Sequence, residues 1–180
     1  MTCWTSFEMG TDGAGAPTLV FAAGDALFVP EALRTRVAAR IGSTGFDAKP
    51  GRWLDLVGDA GDRVIVVGVG GDDSPDRWRN AGGHLVDATR ALHLESVRLP
   101  AAAELGVGPA LADLIEGVLL HGFRLDQGRG DPVPGQFASA LHVVAGDAAL
   151  VEQARLRADP VNRARAWVEQ PANLLTPAVF

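Results

Sequence analysis

Cysteine is nearly absent from these 180 residues: Cys3 stands alone, and Lys49 is likewise the sole lysine. One thiol excludes an intramolecular disulfide framework and a cysteine cage for zinc, and it fits a reducing compartment. Long apolar runs are missing too, since no stretch approaches the ~20 residues that a membrane-spanning helix needs. The opening MTCWTSFEMG has neither the basic start nor the apolar block of a secretory signal. A cytoplasmic protein without membrane contacts is therefore expected. Basic charge is also scarce: 16 Lys and Arg stand against 22 Asp and Glu, a net charge of −6. Phosphate contacts need a clustered basic surface, so nucleic acid is disfavoured as a partner. The local exception is Arg155, Arg157, Arg163 and Arg165, which would suit an acidic partner if the chain were a stand-alone assembly or regulatory protein.

What is present is enough for a core. The hydrophobic share is 47%, and a chain of this length hides roughly 70% of the surface its unfolded form exposes. After a Gly-rich start from Gly10 to Pro17, Leu19 to Ala23 reads as a buried strand bounded by Gly24-Asp25. Pro30 suits the first position of a helix with Leu33, Val37 and Ile41 on one face. Trp53 to Val57 and Arg63 to Val69 read as two strands of a hairpin turning at Gly58 to Gly61. Val64 to Val67, four apolar residues in a row, fits a strand covered on both faces. Ser74-Pro75 caps a helix with Trp78, Ala81, Leu85, Ala88 and Leu92 at helical spacing. A strand from Ser96 to Leu99 follows, then a helix from Pro109 to His121, a polar loop from Gln127 to Gln136 and a strand from Leu141 to Ala145. Asp147 is the expected cap of a last helix, Ala148 to Glu169, which Pro160 should kink or break. This alternation implies an α/β sandwich with a mixed, largely parallel sheet.

Candidate chemistry is thin. Gly68-Val69-Gly70-Gly71 after the strongest strand invites a phosphate-binding reading, with backbone amides cradling the anion at a helix start. The pattern of three spaced glycines is incomplete, and Asp72, Asp73 and Asp76 put negative charge where the phosphate would lie. A turn whose aspartates favour the positive end of the next helix is the stronger reading. None of His84, His93, His121 and His142 lies three or four residues from another, so no helical turn presents two imidazoles to a metal. Asp59, Asp62, Asp72 and Asp73 fall in loops. No GxSxG elbow is present, and Cys3 sits in a segment not expected to be rigid. Arg129-Gly130-Asp131 spells an adhesion tripeptide without a secretory context. No catalytic, cofactor-binding or metal residue is assigned.

Three segments carry a resemblance that goes further. VNRARAWVEQPANLLTP, Val161 to Pro177, resembles the junction between the two domains of the leucyl aminopeptidase (cytosol aminopeptidase) family, where an Ala-Arg-rich helix leads into a segment like NTPANxLTP. Pro171-Ala172-Asn173 and Leu175-Thr176-Pro177 match, while Glu169-Gln170 replace Asn-Thr. EGVLLHGFRLD, Glu116 to Asp126, is similar to the family's EGxxLGxYRFD, with Phe123 for tyrosine and Leu125 for phenylalanine. Val66 to Gly70 followed by Arg79-Asn80-Ala81-Gly82-Gly83 resembles its strand, VGLG turn and RxAGG helix.

The resemblance implies a three-layer, macro-domain-like α/β fold, that of the family's N-terminal domain. It also implies a separate catalytic domain that removes N-terminal residues from peptides with two divalent ions, manganese or zinc. The family's NTDAEGR-like metal-binding run is not in this sequence. The expected organisation is a mobile segment over 1–17, a macro-like domain over 18–146, a connecting helix over 147–170, and the start of an absent catalytic domain over 171–180. By this reading the chain itself is inactive and holds no cofactor. Its partners would be its own catalytic domain and the neighbouring subunits of a homo-hexamer, with peptide substrates met through that catalytic domain. The competing expectation is a stand-alone macro-like module that binds ADP-ribose or a related nucleotide near Gly68 to Gly71.

Overall fold

The computed structural model describes residues 6–9, 15–59, 61–71, 74, 76–123, 140–143 and 147–169. In chain order these form β1 (Ser6–Met9), β2 (Thr18–Ala23), β3 (Ala26–Phe28), α1 (Glu31–Thr44), β4 (Trp53–Val57), β5 (Arg63–Gly68), α2 (Arg77–Ala91), β6 (Ser96–Leu99), α3 (Ala102–Leu105), α4 (Ala110–Gly122), β7 (Ala140–Val143) and α5 (Ala148–Glu169).

Two apolar runs at the centre set the layering. β2 and β5 lie side by side in parallel, Thr18 opposite Val64 and Ala22 opposite Gly68. Successive side chains on a strand point to opposite faces. Leu19, Phe21, Ile65 and Val67 accordingly enter one core with residues of α2, α4 and α5, while Val20, Ala22, Val64 and Val66 enter another with Val37 of α1. Covering on both faces is why neither run alternates with polar residues. The result is a three-layer α/β fold.

Among the described residues the sheet has seven strands, in the order β1-β7-β6-β2-β5-β4, with β3 on β2. The pairs β1–β7, β7–β6, β6–β2 and β2–β5 are parallel, and β4–β5 is antiparallel. The expected mixed, largely parallel sheet is thus observed, as is the β4–β5 hairpin, closed by the Gly58 N–H donating to the Asp62 carbonyl at 2.7 Å.

Three elements were not foreseen. β3 turns back on β2, Ala23 opposite Ala26. It finds room because β6 pairs with β2 at Thr18 only. β1 pairs with β7 from within the N-terminal stretch expected to be mobile. Asp147, expected to cap α5, instead accepts the Ala102 N–H of α3 at 2.9 Å. Pro30 stands one residue before α1 with extended ψ, and α5 runs through Pro160 without a break. Among the described residues, no helix is long and apolar enough to cross a membrane.

Candidate functional site

Parts of two of the quoted motifs meet at one place. α2 carries Arg79-Asn80-Ala81-Gly82-Gly83, α4 carries Glu116-Gly117, and the two helices cross with their backbones nearly touching. A Cβ on Gly82 would lie 2.1 Å from the Leu114 carbonyl oxygen, and one on Gly117 would lie 1.9 Å from that of Arg79. Any side chain at either point would push the helices apart. Closeness lets Ala81, Leu85 and Ala88 of α2 join Leu114, Ile115 and Val118 of α4 at no more than 1% exposure.

Charged groups rim this crossing. Glu116 is 7% exposed; its Oε1 is 3.0 Å from Arg79 Nε and its Oε2 is 3.5 Å from Arg157 Nη1. Arg157 also donates to Asp113 Oδ1 at 2.7 Å, and Arg79 pairs with Asp76 at the start of α2. The signs alternate along Asp76, Arg79, Glu116, Arg157 and Asp113. A buried carboxylate needs such partners.

The last carbonyls of a helix lack intrahelical partners, and here side chains supply them. Asn162 Nδ2 donates to the Leu119 carbonyl at 3.1 Å, Arg165 Nη1 to that of Leu120 at 2.7 Å, and Arg90 Nη2 to that of His121 at 3.4 Å. Positive charge at this end also suits the helix dipole.

Between these contacts lies an open groove of about 270 Å³, lined by Arg79, Asn80, His84, Asp87, His121 and Arg165 among others. His121 Nε2 is 2.9 Å from Asp87 Oδ1, and Arg90 Nη1 is 3.5 Å from the same oxygen. Burial pushes the His84 imidazole below its ordinary value, the Asp87 charge opposes that shift, and His121 adds to it. Sequence spacing separates His84 from His121, and the α2–α4 crossing brings them together. His93 lies just beyond α2 with φ +51°, and His142 lies on β7. Among the described residues, no group of three His, Cys, Asp or Glu is placed to hold a metal ion. Asp87, the carboxylate nearest both imidazoles, is engaged by His121 and Arg90.

The glycine turn after β5 is also engaged. The Gly68 N–H donates to the Arg52 carbonyl at 2.8 Å, that of Val69 to Ala22 at 2.9 Å, and that of Gly70 to Ala48 at 3.1 Å. A Cβ on Gly68 would lie 2.3 Å from the Lys49 carbonyl oxygen, so this glycine serves close backbone packing. Three amides that a phosphate would need are therefore bound to protein. Of the nearby aspartates, Asp76 precedes α2 and pairs with Arg79, while Asp72 and Asp73 lie outside the described residues, as do Cys3, Arg129-Gly130-Asp131, Arg124 to Asp126 and Gln170 to Pro177. Asp62 pairs with Arg36, and Asp59 is exposed.

A family model described as the cytosol aminopeptidase family, N-terminal domain, matches residues 19–132. The chain belongs to this family. A probable cytosol aminopeptidase of Brucella anthropi is 27% identical over 159 residues, covering 81% of this chain and 31% of that protein. The chain thus spans about a third of that relative's length. Among solved structures, a tomato leucine aminopeptidase mutant superposes with a TM-score of 0.70 at 18% identity, covering 99% of this chain and 41% of that one. The bottromycin maturation enzyme BotP, in complex with Mn, gives 0.65 at 24% over 92% and 34% of the two chains. The Coxiella burnetii cytosol aminopeptidase gives 0.62 at 14% over 96% and 35%. These likenesses establish the shared fold.

Within it, the described parts of the family-like motifs serve the packing of the domain. Gly82 and Gly117 permit the crossing, Glu116 and Arg79 rim it, and Gly68 packs against the loop before β4. The Mn belongs to BotP, and the described residues here do not fit such an ion. The four arginines of α5 would suit an acidic partner if the chain stood alone, but Arg157 and Arg165 are engaged by α4. Asn162 and Asp113 were missed altogether. The signal of Asn162, a polar residue on a helix face otherwise lined by alanine, has meaning only once that face is known to cover a helix end, and that of Asp113 only once Arg157 is known to lie opposite.

Proposed function

We propose that this chain is the non-catalytic N-terminal domain of a leucyl aminopeptidase-type dimetal exopeptidase, which releases N-terminal amino acids from peptides, and that the domain serves assembly or regulation. The observation that carries this reading is the family match over residues 19–132. In it, residues 18–146 form the domain, 147–170 the connecting helix, and 171–180 the start of the catalytic domain. The two ions, manganese or zinc, belong to that catalytic domain. The partners are the catalytic domain and neighbouring subunits of a homo-hexamer, in the cytoplasm.

The geometry supports such a role. A helix leading away from a domain transmits position only if it is fixed to that domain. Arg157, Asn162 and Arg165 fix α5 to α4 at three successive turns. The nucleotide-binding alternative has no such support, because the Gly68, Val69 and Gly70 amides of its expected phosphate cradle donate to protein carbonyls.

A chimera tests the proposal. Residues 1–169 of this chain, put in place of the matched third of the Brucella protein, are expected to give an assembled, manganese-dependent aminopeptidase. A chimera that melts cooperatively yet neither assembles nor hydrolyses peptides would overturn the reading. Calorimetric titration of the chain with ADP-ribose is expected to be silent, and saturable micromolar heat would favour the nucleotide-binding module.

A further inference from the structure

The groove between α2, α4 and α5 collects polar groups that the domain's own contacts leave unspent. Three of its arginine neighbours have carboxylate partners: Arg79 pairs with Asp76 and Glu116, Arg90 with Asp87, and Arg157 with Asp113 and Glu116. Arg165, which lines the groove from α5, differs. Its Nη1 donates to the Leu120 carbonyl, and among the described residues no carboxylate pairs with it. A guanidinium carries several N–H donors in a planar fork, so most of those on Arg165 remain available.

His84 and Asn80, one turn apart on α2, line the same groove, and neither side chain is hydrogen-bonded to another described residue. The His84 ring is half-buried beside Gly51, where a Cβ would lie 3.5 Å from Nδ1. Gly83 and Gly117 line the groove without side chains, which keeps it open. Its volume of about 270 Å³, against roughly 30 Å³ for a water molecule, admits a small ion with bridging waters.

We propose that this groove binds a small oxyanion, a carboxylate or a phosphate-like ion, held by the Arg165 guanidinium with His84 and Asn80 as further hydrogen-bond donors. A guanidinium fork matches the paired oxygens of such ions. Asp87 is the one carboxylate lining the groove, and its Oδ1 already has His121 at 2.9 Å and Arg90 at 3.5 Å, which blunts its repulsion.

The site is also sensitive to pH. Burial lowers the His84 pKa, and an anion beside the ring favours its charged form, so anion binding and proton uptake reinforce each other. The charged and titratable groups around the ring are Arg79 and Asp87 of α2, His121 of α4, Arg165 of α5, and Lys49 and Arg52 on either side of Gly51. Asp87 favours the charged ring and His121 opposes it, while Lys49 is paired with Asp47 at 3.0 Å.

Amide NMR titration of the 180-residue chain with sodium sulfate, and separately with sodium acetate, at ionic strength held constant with chloride, tests the proposal. Both anions keep their charge above about pH 6, so any pH dependence belongs to the protein. Saturable shifts at the groove residues are expected, with a dissociation constant of about 1–10 mM at pH 6 for the better probe. Binding should be at least about twofold weaker at pH 7.5. Tighter sulfate assigns the groove to tetrahedral ions, and tighter acetate to carboxylates. Arg165→Gln should weaken binding at least about fivefold, whereas Arg163→Gln, exposed on the same helix outside the groove, should leave it unchanged. His84→Gln should remove the pH dependence. Three results would overturn the proposal: no saturable shift up to about 50 mM of either anion, equal losses from Arg163→Gln and Arg165→Gln, or a pH dependence that survives His84→Gln. The groove lies within this chain, so none of these results bears on the family role, which the chimera judges.

Discussion

α4 makes two contacts of opposite kinds. Toward α2 it presents Gly117, and the two backbones meet with no room for a methyl group. Toward α5 it presents Asp113, Glu116 and bare carbonyls, and is met by arginine and asparagine side chains that reach from a helix of small residues. The first contact is fixed by sterics and tolerates no substitution. The second is a set of separate polar bonds, each partly exposed and each removable at modest cost. A domain built this way has an interior helix pair fixed by backbone contact and an outer helix held to it by side-chain bonds.

The largest loss of stability is expected at the crossing. Gly117→Val or Gly82→Val should destabilise the chain by about 3 kcal/mol or more, because β-branched bulk must displace a facing backbone rather than a side chain. Urea unfolding measures this, and a loss below about 1 kcal/mol would mean that the helices separate easily. Next in size is Glu116→Ala, which leaves Arg79 and Arg157 without their shared carboxylate. With both arginines near 40% exposed, about 1–2 kcal/mol is expected, well short of a fully buried pair.

Gly42→Ala sharpens the contrast from the other side. Gly42 is also helical, in α1, but a Cβ there meets nothing within 4 Å. The substitution should stabilise the chain by about 0.5–1 kcal/mol, through backbone entropy alone. The same substitution at Gly117 should carry the opposite sign.

The smallest effect is a pH dependence. Burial lowers the His84 pKa from its ordinary 6.5, so the unfolded chain takes up this proton first. The stability linked to His84 is therefore complete above pH 6.5 and is lost as pH falls below that value toward the lowered folded one. His84→Gln should flatten the decline in Tm between about pH 7.5 and about pH 5.5. An unchanged slope would assign that decline to other groups.

Much of the fold could be read from the sequence. β2, β5 and β6 announced themselves by apolar runs bounded by Gly, Asp or Pro, and α2 and α4 by helical spacing. β1, β3 and α3 could not be read, since three or four residues carry too little periodicity and β3 depends on an edge of β2 left free by β6. Motifs were visible as letters only. That Gly82 and Gly117 face backbone, that His84 meets His121, or that Arg165 reaches the Leu120 carbonyl are facts of tertiary placement, which residue spacing along one helix does not contain. Of the kink or break expected at Pro160, the break does not occur. The proline is exposed, and the carbonyl that loses its donor belongs to the exposed Leu156, where solvent can serve it.

Arg79, Gly82, Glu116 and Gly117 of the family-like motifs hold helices together. Whether the purified 180-residue chain also hydrolyses a substrate is measured with leucine p-nitroanilide in the presence of manganese. No turnover above the metal-only blank is predicted. Metal-dependent turnover that scales with the amount of chain, and that disappears on thermal unfolding, would contradict it.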